Sequence, residues 1–378
     1  MKAKTKFTRL WSILLALAMV VGMLPTTVLA AGSATATADF VSDPTTALTL
    51  LNAAKTGDTD STWDSTTKTL TLGGVNFETT AATAVKLPDD AKIVLNGENT
   101  LKGSNSDSSD CYGIYGEGDL TISGSGTLNV TAGEAGGSSL SFGIHAEANV
   151  TINSGAVTAT GGEAPGNQSL GIRALNGNLT INGGTVTATG SDAKNSSNGL
   201  WAGNGSVTIS GGKVVANGGG ASSGTSSGIY AKNVVIQNTA NRIPHVTTRG
   251  GNGVRSRGIY ANGGNLEISG GVVIAKAGYS DSAFALNKAP TLPTTPYWWR
   301  TSDSGDYSKS AYTGDGSAAH LEIWNWDPTA TADFTDDSEA ALARLNAAKT
   351  GAADSTWDPD TKTLILNGVN FTAPPPQR

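Results

Sequence analysis

The chain has 378 residues, a net charge of −6, 6% aromatic and 15% charged residues, and 49 glycines. So small a charge fraction beside so many β-branched residues excludes a charge-rich disordered segment and a flexible linker. No basic surplus is present to attract nucleic acid. A single cysteine, Cys111, rules out an internal disulfide framework.

Lys2, Lys4, Lys6 and Arg9 precede an apolar run from Leu10 to Leu24, and Val28-Leu29-Ala30 supplies small residues for cleavage. Residues 1–30 therefore read as a secretory signal peptide, since the run is short for a membrane span and ends at Pro25. The mature chain is expected outside the cell or at its surface, without membrane insertion. A disulfide-free export of this style suits a Gram-positive bacterium.

Residues 31–82 read as an N-terminal cap. Asp43 as N-cap, Pro44 at the first position and Gly57 as terminator frame a short helix. A strand–turn–strand follows in "STWDSTTKTLTLGGVNF", from Ser61 to Phe77.

From residue 83 to 290 the chain repeats itself. Gly-Ile/Leu-x-Ala/Gly begins at Gly113, Gly143, Gly171, Gly199, Gly228 and Gly258, in steps of 30, 28, 28, 29 and 30. An earlier copy, "AVKL", begins at Ala84. Each unit adds a second apolar run, such as Val150-Thr151-Ile152 or Leu179-Thr180-Ile181. Most add a third, such as Val186-Thr187-Ala188. Three short strands in a repeat of this length predict an all-β, right-handed parallel β-helix of about seven coils. An antiparallel sandwich would need hairpin turns and would not keep a constant period. Gly-Gly pairs are the expected corners. Asn96, Ser123, Asn153, Asn182, Ser210 and Ser269, just after the second strand, are placed to bond turn backbone from coil to coil.

Residues 291–328 break the repeat and concentrate Trp298, Trp299, Trp324 and Trp326, as a C-terminal cap would. Within residues 329–378, "ADF", "LNAAKTG", "STWD", "TKTL" and "VNF" recur 294 residues after their first appearance. This reads as the start of a second cap-plus-solenoid unit cut short; an orphan C-terminal cap is the alternative.

Candidate chemistry lies in two columns. The residue after the inward Ile or Leu points outward in each coil: Lys86, Tyr115, His145, Arg173, Trp201, Tyr230 and Tyr260. At a coil rise of about 4.8 Å, these seven make a stripe roughly 29 Å long. Flat aromatic faces suit sugar rings, with Trp201, Tyr230 and Tyr260 as platforms, while the cations reach hydroxyls or carboxylates, with Arg173 as anchor. The plainer alternative is a packing ladder of rings on one another. On the loops, Glu134, Glu163 and Asp192 share a register, and three stacked carboxylates either take Ca²⁺ as cofactor or are splayed into water by their Gly- and Ser-rich loops. The acids of the coils are scattered, and His145, His245 and His320 have no metal-ligand spacing, so catalytic residues are not expected.

"STWDSTTKTLTLGGVNF", the recurring "GNLTINGGTVTATG" and the "WWRTS…LEIW" segment resemble secreted clostridial proteins described as carbohydrate-binding domain-containing. The resemblance covers roughly Ala38 to Trp326. It implies a right-handed parallel β-helix, plant-type or cell-wall polysaccharide as partner, and calcium. Two other classes stay open: a structural or adhesive surface repeat protein, and a polysaccharide lyase or hydrolase.

Overall fold

The computed structural model describes residues 34–239, 242–293, 297–304, 306–324, 341–342, 345–346, 353–358 and 361–369. The expected signal peptide lies outside these residues. Among them, no helix is long and apolar enough to cross a membrane.

The repeats form a parallel β-solenoid of about seven turns with three faces. The first face stacks Thr83–Leu87, Cys111–Gly116, Ser141–Ala146 and Gln168–Ala174, and continues to Ala283–Leu286. The second stacks Ala91–Leu95, Leu120–Gly124, Val150–Ile152 and Leu179–Ile181. Strands Ser196–Ile209 and Ala221–Ile236 run round the corner, so these two faces form one 16-stranded sheet. The third face is a separate 10-stranded sheet that includes Thr127–Thr131, Ala156–Thr160 and Thr185–Thr189.

Like stacks on like inside. Ile114, Ile144, Ile172, Leu200, Ile229 and Ile259 pair in sequence along the first face, and all are fully buried. Each such side chain removed from water contributes about 1.5–3 kcal/mol, which favours a column of equal size and shape.

The glycine that opens each phrase has a steric cause. A Cβ on Gly113, Gly143, Gly171 or Gly228 would sit 2.7 Å from the carbonyl oxygen of the corresponding glycine one coil on. Each missing side chain makes room for the next coil's backbone. At the corner before the third face a second need appears: Gly184 has φ +81, which an L side chain rarely adopts.

The Asn and Ser column after the second strand behaves differently from expectation. Asn182 Nδ2 donates to Asn153 Oδ1 at 2.9 Å and Ser210 Oγ donates to Asn182 Oδ1 at 3.0 Å, so these side chains bond one another. Turn backbone is served by the column just before that strand. Asp89, Asp119, Asn149 and Asn178 each accept, through a side-chain oxygen, the backbone N–H of the matching residue in the next coil, at 2.8–2.9 Å.

At the N-terminal end, α1 (Pro44–Ala53) lays Ala47 and Leu51 on the core. Asp43 Oδ1 accepts the Thr46 N–H at 3.0 Å. The helix stops at Ala53, ahead of Gly57. Asn52 clasps Ser61 through both amide atoms, at 2.7 and 3.1 Å. Asn346 and Ser355 repeat that clasp at 2.6 and 3.1 Å, and Trp357 opposes Leu364 as Trp63 opposes Leu70. The far end of the third face is closed by antiparallel strands His320–Trp324 and Trp298–Arg300.

Gly171→Ala tests the packing account. Its Cβ would meet Thr189 N at 2.5 Å and Gly199 O at 2.7 Å, both backbone atoms that cannot swing away. The variant is expected to lose about 1–3 kcal/mol, read from denaturant unfolding followed by circular dichroism.

Candidate functional site

The seven outward positions form one unbroken ladder. Lys86 pairs with Tyr115, Tyr115 with His145, His145 with Arg173, Arg173 with Trp201, Trp201 with Tyr230, and Tyr230 with Tyr260. The register is as expected; the side-chain arrangement is not uniform along it.

Trp201, Tyr230 and Tyr260 stack on one another. Ring centroids lie 6.2 and 5.1 Å apart, with planes within 3° and 5° of parallel. Faces were expected to be open to sugar rings, but each pair spends faces on its neighbour. What the stripe turns outward is ring edges and polar tips, and Tyr230 OH accepts from Asn262 Nδ2 at 2.8 Å. Trp201 lies down over Gly203, where a Cβ would come 2.3 Å from the indole.

His145 differs from the rings further along the column. It points away from the solenoid core yet is only 1% exposed. Tyr112, Tyr115 and Phe142 pack around its ring at centroid distances of 5.3–5.4 Å. Burial first, and then the nearby Arg173 charge, push its pKa down to about 4, so the ring is neutral at neutral pH. Its Nε2 lies 3.2 Å from Glu147 Oε1, which also accepts Tyr115 OH at 3.0 Å. Burial opposes ionisation of Glu147, but these bonds outweigh it and hold the carboxyl below its usual range. Lys86 is likewise engaged, 2.8 Å from Glu117.

Arg173 stands apart. Its guanidinium is held between the rings of Phe142 and Trp201, 4.7 and 4.9 Å from their centroids. Nε is buried without a hydrogen-bond partner, and among the described residues the guanidinium has no carboxylate partner within 4.0 Å. Burial lowers its pKa from the ordinary arginine value, yet the group stays charged. The side chain is fixed in place while its donors remain unspent.

Glu134, Glu163 and Asp192 keep one loop register: Ala135 N–H donates to Glu163 O and Ala164 N–H to Asp192 O, at 2.8 and 2.9 Å. All three side chains are exposed, and Asp192 Oδ1 accepts the Gly220 N–H at 2.7 Å. Their carboxylates do not converge into a cage. Among the described residues the ligand atoms that do gather, within 4.8 Å, belong to Asp303, His320 and Glu322. Cations of the chain already occupy that place. Arg300 donates to both oxygens of Glu322 at 2.9 and 3.0 Å, Tyr307 OH to one at 2.6 Å, and Lys276 pairs with Asp303. This cluster ties the strand Val272–Lys276 to the strands His320–Trp324 and Trp298–Arg300.

Phe142, Tyr112 and Glu147, which build the walls of the site, were not among the expected residues. Phe142 and Tyr112 sit three positions before the column, and the intervening glycine brings them to its side. A large ring immediately before the phrase glycine was the available signal.

The fold is thus a parallel solenoid that carries one side-chain column in constant register along its first face. Residues 59–285 match the family model described as carbohydrate-binding domain-containing protein, and the chain belongs to that family. No curated protein and no solved structure matches the chain.

His145 gives the site a pH signature. Its folded pKa lies below the unfolded value of about 6.5, so its contribution is complete above about pH 6.5 and is lost as pH falls towards 4. His145→Gln is expected to flatten the fall in unfolding free energy over that window, measured by urea unfolding at a series of pH values.

Proposed function

We propose that this chain is a secreted, non-catalytic polysaccharide-binding protein whose first face holds an extended glycan. Family membership supports carbohydrate as the partner. The observation that carries the choice of face is Arg173, clamped between two rings with its donors unspent. A guanidinium whose rotamers are already restricted gives up little entropy on pairing with a hydroxyl pair or a carboxylate. Trp201, Tyr230 and Tyr260 serve as a rigid rail of edges and hydroxyls. The coil rise of about 4.8 Å is near the advance of one sugar along an extended chain, so successive coils meet successive residues.

A structural or adhesive role is the second reading, favoured by the rings being stacked on one another. Native affinity electrophoresis against cellulose derivatives, polygalacturonate, xylan and mannan separates the two. The binding account expects retardation by at least one polymer. It expects Arg173→Gln to weaken that binding about tenfold or more, as loss of a charged hydrogen bond does, with unchanged circular dichroism. No retardation by any polymer gives the face to the adhesive reading.

A further inference from the structure

A concavity lies away from the first face, beside α1. A groove of about 560 Å³ opens between α1 and the strand Thr62–Asp64. Its apolar lining includes Pro44, Leu48 and Trp63; its polar lining is Thr45, Thr49 and Asn52. No charged side chain lines it. We infer that this groove is a second carbohydrate site, one that takes a neutral pyranose ring, and it goes beyond the first-face reading without depending on it.

Three features point to that ligand. First, Trp63 is held by Phe40, 4.8 Å away with planes at 44°, and forms part of the groove wall, so a fixed indole borders an open space of sugar size. Second, the indole Nε1 is buried with no hydrogen-bond partner. The partly exposed indole therefore offers the groove carbon surface rather than its N–H, as the apolar C–H face of a sugar ring requires. Third, Thr45 and Thr49 are exposed on the helix flank; Thr49 Oγ1 donates only to Thr45 O, at 2.8 Å, and keeps acceptor capacity. A charged glycan would find no counter-charge here, whereas a neutral ring needs only an apolar face and hydroxyl partners. The groove thus differs in chemistry from the first face with its arginine.

Isothermal titration of the full chain with neutral hexasaccharides of glucose, xylose and mannose tests this. At least one is expected to bind. Thr49→Arg puts a long cation on an exposed helix position that the core does not use, so folding is expected to be unchanged. Neutral-oligosaccharide affinity should fall tenfold or more, while polymer retardation by the first face stays as in the parent. Trp201→Ala should do the reverse. Failure of every neutral hexasaccharide to bind, or equal affinity in Thr49→Arg and the parent, overturns the assignment. So does a change of oligomeric state in Thr49→Arg on size-exclusion chromatography with light scattering, which would give the groove to a second copy of the chain.

Discussion

Everything in this molecule depends on how closely one coil can approach the next. Backbone hydrogen bonds set the spacing at about 4.8 Å, and at the first face that spacing leaves no room for a side chain at the phrase glycine. A Cβ there would lie 2.7 Å from the neighbouring carbonyl in coil after coil. The glycine column therefore locks the register, and a one-residue slip would drive a neighbouring side chain into backbone. Because the register is locked, isoleucine falls on isoleucine inside, and one outward residue per coil falls into line outside.

That same register has two consequences for function. It delivers seven side chains to one line, the line on which the proposed glycan site rests. It also brings adjacent aromatic rings near enough to stack, so rings that a looser scaffold would leave open face each other instead. Stacking gives rigidity and takes away apolar faces. Arg173 is where the two effects combine usefully: the rings hold it, and its hydrogen-bonding capacity is left over. The Trp63 groove follows another rule, since it lies beside α1, where the chain departs from the coil period.

Much of this was legible in the sequence, and for physical reasons. A solenoid is nearly one-dimensional, so period alone gives topology, face and register. The helix start was readable from Asp43 and Pro44, whereas its end at Ala53 came before the glycine that signalled it. Side-chain neighbours across coils were harder. The burial of His145 depends on Tyr112 and Phe142, which lie outside the column and reach it only because a glycine intervenes. The backbone-bonding column was present in the quoted phrase, as the Asn before Leu-Thr-Ile, but Asn178 at one end of that strand and Asn182 at the other look equivalent in one dimension. The acidic row of Glu134, Glu163 and Asp192 kept its register, yet carboxylates on exposed loops are not thereby gathered.

Hydroxyl-radical footprinting with mass spectrometry, on the full chain with and without the polymer that retards it most, tests the central claim directly. Trp201, Tyr230 and Tyr260 are reactive and partly open, and Tyr279, at 84% exposed and off the stripe, is an internal reference. The account predicts protection of the three stripe residues with Tyr279 oxidised as before. Unchanged oxidation along the stripe while the polymer is bound would contradict it and move the glycan to another part of the molecule.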